Sequence, residues 1–121
     1  MQLLDPASLA QLLANGNAQK PLKGTEQEID FQPVVKLFAP DGGATWLLTE
    51  IDPDAPEIAF GLCDLGLGAP ELGYVDLADL RRARGRLGLP IERDRYFRPD
   101  KTLSAYADAA RRAGRIWTDM I

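Results

Sequence analysis

The sequence contains no histidine and only one cysteine, Cys63, among its 121 residues. Without histidine, the chain cannot form a Ser-His or Cys-His nucleophile pair, a histidine-ligated metal site or the usual imidazole pH switch. With one cysteine, it cannot form an internal disulfide bond or a zinc site built from its own cysteines. These absences exclude several common catalytic mechanisms, and we expect no cofactor; whether the protein is an enzyme stays open.

Long hydrophobic runs are also absent. No stretch approaches the roughly 20 apolar residues of a membrane-spanning helix, and the amino terminus lacks the charged and apolar regions of a signal peptide. We therefore expect a cytoplasmic protein without a membrane partner. The composition, with 45% hydrophobic and 26% charged residues, is typical of a globular chain. A chain of this length is expected to form a single domain over residues 1–121 and to bury about two thirds of its unfolded surface.

Charge is divided unevenly along the chain, although the net charge is only -4. Residues 1–76 contain three basic and twelve acidic residues, whereas residues 77–115 contain eleven basic and five acidic ones. The basic part either forms a surface for phosphate or an acidic protein, or is neutralised inside the fold by the acidic part. The pattern leaves both possibilities open.

The first helix is predicted within residues 1–16. Asp5 can cap its amino terminus, Pro6 suits its first position and Gly16 can end it in a left-handed conformation. Residues 17–30 are polar and are interrupted by proline and glycine, which predicts a connector of unusual length.

Residues 33–76 contain short β-type runs separated by turn residues, which predicts an antiparallel meander. The runs cover residues 34–38, 45–51 and 58–63, with a short fourth strand expected around Tyr74 and Val75.

Residues 77–121 are predicted to be helical and basic. One helix is expected from a cap at Asp76 to Gly85, and the last from about Leu103 to Ala113. Residues 91–98 are expected to be irregular with some strand. The predicted fold class is α+β: a three- or four-stranded antiparallel meander with three helices packed against it, all on one face of the sheet.

Three blocks of the sequence together resemble a known family. They lie at residues 33–53, 60–77 and 91–116 and read PVVKLFAPDGGATWLLTEIDP, FGLCDLGLGAPELGYVDL and IERDRYFRPDKTLSAYADAARRAGRI. The chain resembles the bacterial domain of unknown function 2958 family, small proteins met mostly on plasmids and integrated mobile elements. The resemblance covers nearly the whole chain. It implies an accessory protein of a mobile genetic element and indicates no mechanism.

Four carboxylates are close in sequence around the second turn of the meander: Asp52, Asp54, Glu57 and Asp64. Oxygen-rich groups of this kind can bind Mg²⁺ or Ca²⁺. However, Asp52 and Asp54 are also ordinary turn residues beside prolines, and this interpretation is the simpler one. A metal site here would support a hydrolase dependent on a divalent cation.

The segment around residues 93–98 is the most informative for function because arginines flank two aromatic rings. This mixture suits a single-stranded nucleic acid, whose phosphates bind cations and whose bases stack on rings. The candidate binding residues, including basic residues on and before the last helix, are Arg93, Arg95, Tyr96, Phe97, Arg98, Lys101, Arg111 and Arg112. In the alternative, Tyr96 or Phe97 faces the core and the arginines pair with Glu92 and Asp94.

The sequence thus predicts a non-catalytic accessory or binding protein that binds nucleic acid through its basic second half. One alternative is a protein-binding adaptor or an inhibitor of the anti-defence type that uses the acidic first half. A second alternative is the cation-dependent hydrolase. The identity of the partner and the oligomeric state stay open.

Overall fold

The computed structural model describes residues 3–118, and these contain three α-helices and a five-stranded sheet. The elements, in chain order, are α1 (Pro6–Gln19), a short 3-10 helix (Lys20–Leu22), β1 (Val35–Phe38), β2 (Thr45–Ile51), β3 (Ile58–Asp64), β4 (Glu71–Asp76), α2 (Leu77–Arg82), β5 (Glu92–Arg93) and α3 (Leu103–Ala113). None of the helices in this part of the chain combines the length and apolar character that crossing a bilayer requires.

The strands lie in the order β4-β3-β2-β1-β5, and every neighbouring pair is antiparallel. The predicted α+β class and the antiparallel meander are confirmed, with β4 longer than expected. The sheet has one strand more than predicted, because the two residues of β5 pair with Leu37 and Phe38 of β1. A pairing this short leaves no periodic pattern in the sequence.

The helices cover both faces of the sheet. α1 and α2 pack on one face, where the core contains Leu12, Leu48 and Leu77. α3 packs on the other face, where Leu47 contacts the cluster that includes Tyr106. The prediction that all helices lie on one face is therefore wrong. The physical reason lies in β2, which is buried from Trp46 to Ile51 and so presents apolar side chains to both layers.

The cap of α1 is as predicted, but its end is not. Asp5 Oδ1 accepts a hydrogen bond from the Ser8 backbone N–H at 2.6 Å, and Pro6 occupies the first helical position. The helix continues past Gly16 to Gln19. Gly16 instead permits close packing, because a Cβ atom there would lie 1.7 Å from the carbonyl oxygen of Ile51 in β2.

The predicted connector is tied to the end of α1. The buried side chain of Gln19 donates to the Ile29 carbonyl oxygen at 2.7 Å and accepts from the Ile29 N–H at 2.9 Å. Asp30 binds both the backbone N–H and the hydroxyl of Ser104 at the start of α3. The chain between α1 and β1 is thereby fixed beside β4 and α3.

Candidate nucleic-acid-binding groove

The segment after β5 places its side chains in different environments. Arg93 turns inward, where its guanidinium donates to the Leu3 carbonyl oxygen at 3.3 Å and lies 3.7 Å from the Asp5 carboxylate. Phe97 packs against the α3 layer, with its ring centroid 6.3 Å from that of Tyr106. Tyr96, in contrast, is 83% exposed. Of the two candidate rings, only Tyr96 is available to a ligand.

Two cations of the candidate set are held by acidic neighbours. Lys101 Nζ lies 2.8 Å from Asp100 Oδ1 and 4.5 Å from the centroid of the Tyr106 ring. Arg111 lies 3.4 Å from Asp108. Neither therefore presents an uncompensated positive charge.

The remaining cations of the set are Arg95, Arg98 and Arg112, and all three are exposed. Within residues 3–118, no carboxylate lies in ion-pair range of any of them. The candidate basic surface is thus smaller than predicted, and its components come from the segment after β5 and from the end of α3.

Tyr96 lies on a groove of about 530 Å³ at the β1–β5 end of the sheet. We call it the Tyr96 groove; it is lined by β1 and the turn after it, by Thr45 of β2 and Asp64 of β3, by the segment from Glu92 to Tyr96, and by Arg115 and Ile116. Arg95 and Arg115 are its exposed cations. The groove therefore combines an exposed ring with two guanidinium groups from separate parts of the chain.

Asp94 orients Tyr96 outward. Its Oδ1 accepts from the Tyr96 backbone N–H at 2.9 Å, and its Oδ2 lies 3.6 Å from Lys36 Nζ. The Asp94 backbone N–H also donates to the Lys36 carbonyl oxygen at 2.9 Å. This Asx-type turn directly after β5 holds Tyr96 at the rim while its neighbour Phe97 turns to the core.

Asp64 positions the opposite side of the groove. It is 2% exposed, and its two oxygens accept from the backbone N–H groups of Gly66 at 2.8 Å and Ile116 at 2.9 Å. Gly114, with a φ of 76°, ends α3 and turns the chain toward the sheet. Lys36 Nζ then donates to the Thr118 hydroxyl at 2.8 Å. These contacts fix Arg115 at the groove.

Arg115 and Trp117 are site residues that the sequence-based candidate set does not include. The Arg115 guanidinium lies 4.7 Å from the centroid of the Trp117 ring, and Trp117 is 52% exposed. A second exposed ring therefore lies beside the groove. The position of Arg115 and Trp117 depends on the hydrogen bond from the Ile116 N–H to Asp64, which is 52 positions away in sequence. Local sequence patterns therefore do not predict that position.

The structure does not gather the four carboxylates of the hypothetical metal site. Asp52 Oδ1 accepts from the Asp54 N–H at 2.9 Å, as in a turn, and Asp54 pairs with Lys20 at 2.8 Å. Glu57 pairs with Arg81 at 2.8 Å. In the described part of the chain, no group of three or more His, Cys, Asp or Glu side chains could hold a metal ion.

The arginines of α2 lie apart from the groove. Arg81 pairs with Glu57, Arg82 pairs with Asp79, and Arg84 donates to the carbonyl oxygens of residues 81 and 83. Arg81 and Arg82 also occupy the last turn of the helix, where the macrodipole favours cations. They therefore have local structural roles.

The comparisons with known proteins settle the family. The family model described as "Protein of unknown function (DUF2958)" matches residues 3–117, nearly the whole chain. The chain belongs to the DUF2958 family. Neither a curated protein nor a solved structure is similar enough to the chain to count as a match.

The single thiol of this DUF2958 protein is not poised for nucleophilic chemistry. Burial raises the pKa of Cys63 to about 11, with a smaller contribution in the same direction from the charge of Glu71. The thiolate is the reactive form of cysteine, so a thiol with this pKa is almost fully protonated at neutral pH. Cys63 instead packs against the core on the face of the sheet that α1 and α2 cover.

Proposed function

We propose that this DUF2958 protein is a non-catalytic binding protein that holds a short single-stranded nucleic acid in the Tyr96 groove. The observation that carries the proposal is the exposed Tyr96 ring on a groove that Arg95 and Arg115 also line. A base can stack on an exposed ring, and guanidinium groups can bind the phosphates on either side of that base.

The turn around Asp94 supports this proposal because it fixes the ring before a ligand arrives. The Tyr96 backbone is held by the Asp94 carboxylate, and Asp94 is itself bonded to β1. A fixed ring loses little conformational freedom on binding, so more of the stacking energy contributes to affinity. Trp117, beside Arg115, offers a second ring for a neighbouring base.

Charge sets the expected scale of binding. The chain has a net charge of -4, so non-specific attraction to polyanions is weak and binding depends on the few cations of the groove. If Arg95 and Arg115 contact two phosphates, the logarithm of affinity should fall with the logarithm of salt concentration with a slope of about -1.4.

The test uses fluorescence anisotropy with a labelled oligodeoxythymidine of about ten nucleotides. Tyr96→Ala should weaken binding about tenfold, because one stacked base is worth about 1–3 kcal/mol. Tyr96→Phe should retain binding, since the stacking surface remains. Arg115→Ala should also weaken binding and make the salt slope shallower.

Arg82→Ala is the matched control because it removes one positive charge from α2, away from the groove. Its affinity should equal that of the wild type. Absence of binding at low salt to oligodeoxythymidine and to an RNA oligomer would refute the proposal. Equal weakening by Arg82→Ala and Arg115→Ala would also refute it, because binding would then follow net charge alone.

A further inference from the structure

The opposite end of the sheet presents the unpaired edge of β4. Leu77 N–H donates to the Glu57 carbonyl oxygen at 2.8 Å, and the same register pairs Ala59 with Val75 and Gly61 with Gly73. Hydrogen bonding alternates along an antiparallel strand. The backbone N–H and C=O groups of Leu72 and Tyr74 therefore point outward, and no strand within residues 3–118 pairs with them.

Three of the devices that protect an edge strand, namely a proline, a lysine and a bulge, are missing from β4. Tyr74 is 53% exposed, and Leu72 is also exposed. Such an edge is a template for a further strand, since main-chain groups of an added chain can complete the ladder.

A groove of about 440 Å³ lies beside this edge on the α3 face. We call it the β4 groove; its apolar lining comes from Ile29, Phe60, Leu72, Tyr74 and Leu103. Phe60 and Tyr74 form a tilted pair with ring centroids 5.0 Å apart. Alternate side chains of an added strand would point to this face, so the groove can select them.

Carboxylates dominate the charge of the β4 groove. Glu28, Asp30 and Glu50 line it, whereas Lys23 is its only lining cation among the described residues. Lys23 Nζ lies 4.6 Å from the centroid of the Tyr74 ring. The edge strand adds acidic residues at both of its ends, Glu71 and Asp76. The combined charge favours a basic occupant.

We propose that β4 binds an extended basic segment of a partner protein, which pairs with Leu72 and Tyr74 as a sixth strand and directs alternate side chains into the β4 groove. A second copy of this chain does not fit the charge pattern. Pairing of two β4 edges would place two β4 grooves side by side on one face of the sheet, and their carboxylates would repel each other.

The probe is a labelled peptide of roughly eight residues in which valine and lysine alternate. The comparison peptide has glutamate in place of each lysine and keeps the valines, which favour a strand in both peptides. We expect the lysine peptide to bind at least about tenfold more tightly by fluorescence anisotropy, because the groove and edge are acidic.

Two variants test the edge itself. Leu72→Pro removes an outward N–H and leaves the ladder to β3 intact, as proline on edge strands does. Tyr74→Lys introduces an edge lysine and a repelling charge. Each should weaken the lysine peptide by about tenfold or more. Leu67→Lys is the matched control, since it changes an exposed leucine of the β3–β4 turn to the same residue.

Hydrogen exchange measured by NMR locates the complex. In the free protein, the amides of Leu72 and Tyr74 should exchange fast and those of Gly73 and Val75 slowly. The lysine peptide should slow the exchange at Leu72 and Tyr74. This measurement uses the wild-type protein, so it does not depend on whether a variant folds. Equal affinity for both peptides, no binding, or protection at β5 instead would overturn the proposal.

Sedimentation velocity tests the competing occupant. We expect a monomer over the concentrations used for binding. A dimer that Leu72→Pro converts to a monomer would show that β4 binds a second copy, and would overturn the proposal of a basic partner segment. These results are independent of oligonucleotide binding, which involves the other end of the sheet.

Discussion

Glu50 is a buried carboxylate in an otherwise apolar strand. It is 6% exposed, and the irregularity between Leu48 and Glu50 places it opposite Phe60 on the α3 side. Burial raises the pKa of Glu50 above its ordinary value, and the charge of Lys23 opposes that shift in part. The folded state is therefore more stable relative to the unfolded state when Glu50 is protonated than when it is ionised.

This shift predicts how stability depends on pH. The folded state keeps the Glu50 proton to a higher pH than the unfolded state, whose pKa is near 4.5. Between the two values the unfolded state binds fewer protons, so this residue's contribution to stability falls as pH rises. Glu50→Gln should thus gain stability relative to the wild type as the pH rises above 4.5, as measured by urea unfolding.

An exposed glutamate provides the control for this experiment. Glu26→Gln removes the same charge from an exposed position in the connector, so its free energy of unfolding should stay within about 0.5 kcal/mol of the wild type. If the difference between Glu50→Gln and the wild type stays constant with pH, Glu50 is not the group that carries this dependence.

Tyr96 and Phe97 show what the sequence can predict at single residues. Neighbouring side chains in an extended segment point to opposite sides, so the sequence supports one ring inside and one outside. It does not say which, because the choice depends on the Asp94 turn and on space beside Tyr106. Tyr106 is 2% exposed on the side of α3 that faces the sheet.

Gly16 shows why the end of α1 was predicted incorrectly. Glycine is frequent just after a helix, so it predicts a stop. The same residue is also used where a helix approaches another backbone closely. In α1 the second use applies, since the helix contacts the Ile51 carbonyl of β2. Sequence alone cannot separate the two uses, because the contacting strand lies far along the chain.

Gly16→Ala therefore has an expected effect opposite to the helix propensity. In a solvated helix, alanine is favoured over glycine by about 1 kcal/mol. Here the new methyl group would overlap the Ile51 carbonyl, and overpacking costs about 1–3 kcal/mol. We expect a lower free energy of unfolding in urea. Asn17→Ala, at the next and exposed position, should instead be neutral or stabilising.

The strands were predictable where their pattern was local. The turns at residues 41–43 and 52–56 correctly separated β1, β2 and β3. Some strand was expected within residues 91–98, but the bounds of β5 and its pairing were not predicted, because its two residues are defined by a partner in β1 rather than by their own sequence. The two-sided burial of β2 was also missed: an apolar run of that length fits either one covered face or two.

At the scale of the whole molecule, the two candidate surfaces occupy opposite ends of the sheet. β4 is the edge beside the acidic β4 groove, and β5 is the edge beside the Tyr96 groove. Five strands at a spacing of about 4.8 Å separate the two edges by about 19 Å. The uneven charge of the sequence is partly neutralised between the two halves, as in the Arg93–Asp5 and Arg81–Glu57 pairs, and partly exposed at the two candidate surfaces.

This separation predicts that the two ligands bind independently. Tyr96→Ala should leave the affinity for the lysine peptide unchanged, and Tyr74→Lys should leave oligodeoxythymidine binding unchanged, because distant sites contribute additively. Titration of the peptide with and without saturating oligonucleotide should give the same dissociation constant. If either ligand changes the affinity for the other, the two sites are coupled, and the prediction of independent binding is wrong.

The path of the chain also has a consequence for folding. β1 to β3 each pair with the next strand in sequence, so the four-stranded meander is joined by short loops and contains no residue beyond Asp76. Both Tyr96 and Arg115 join that sheet later in the chain. Changes at these two positions should alter recognition while leaving the rate at which the meander assembles untouched, so the groove can diversify without slowing the folding of its scaffold.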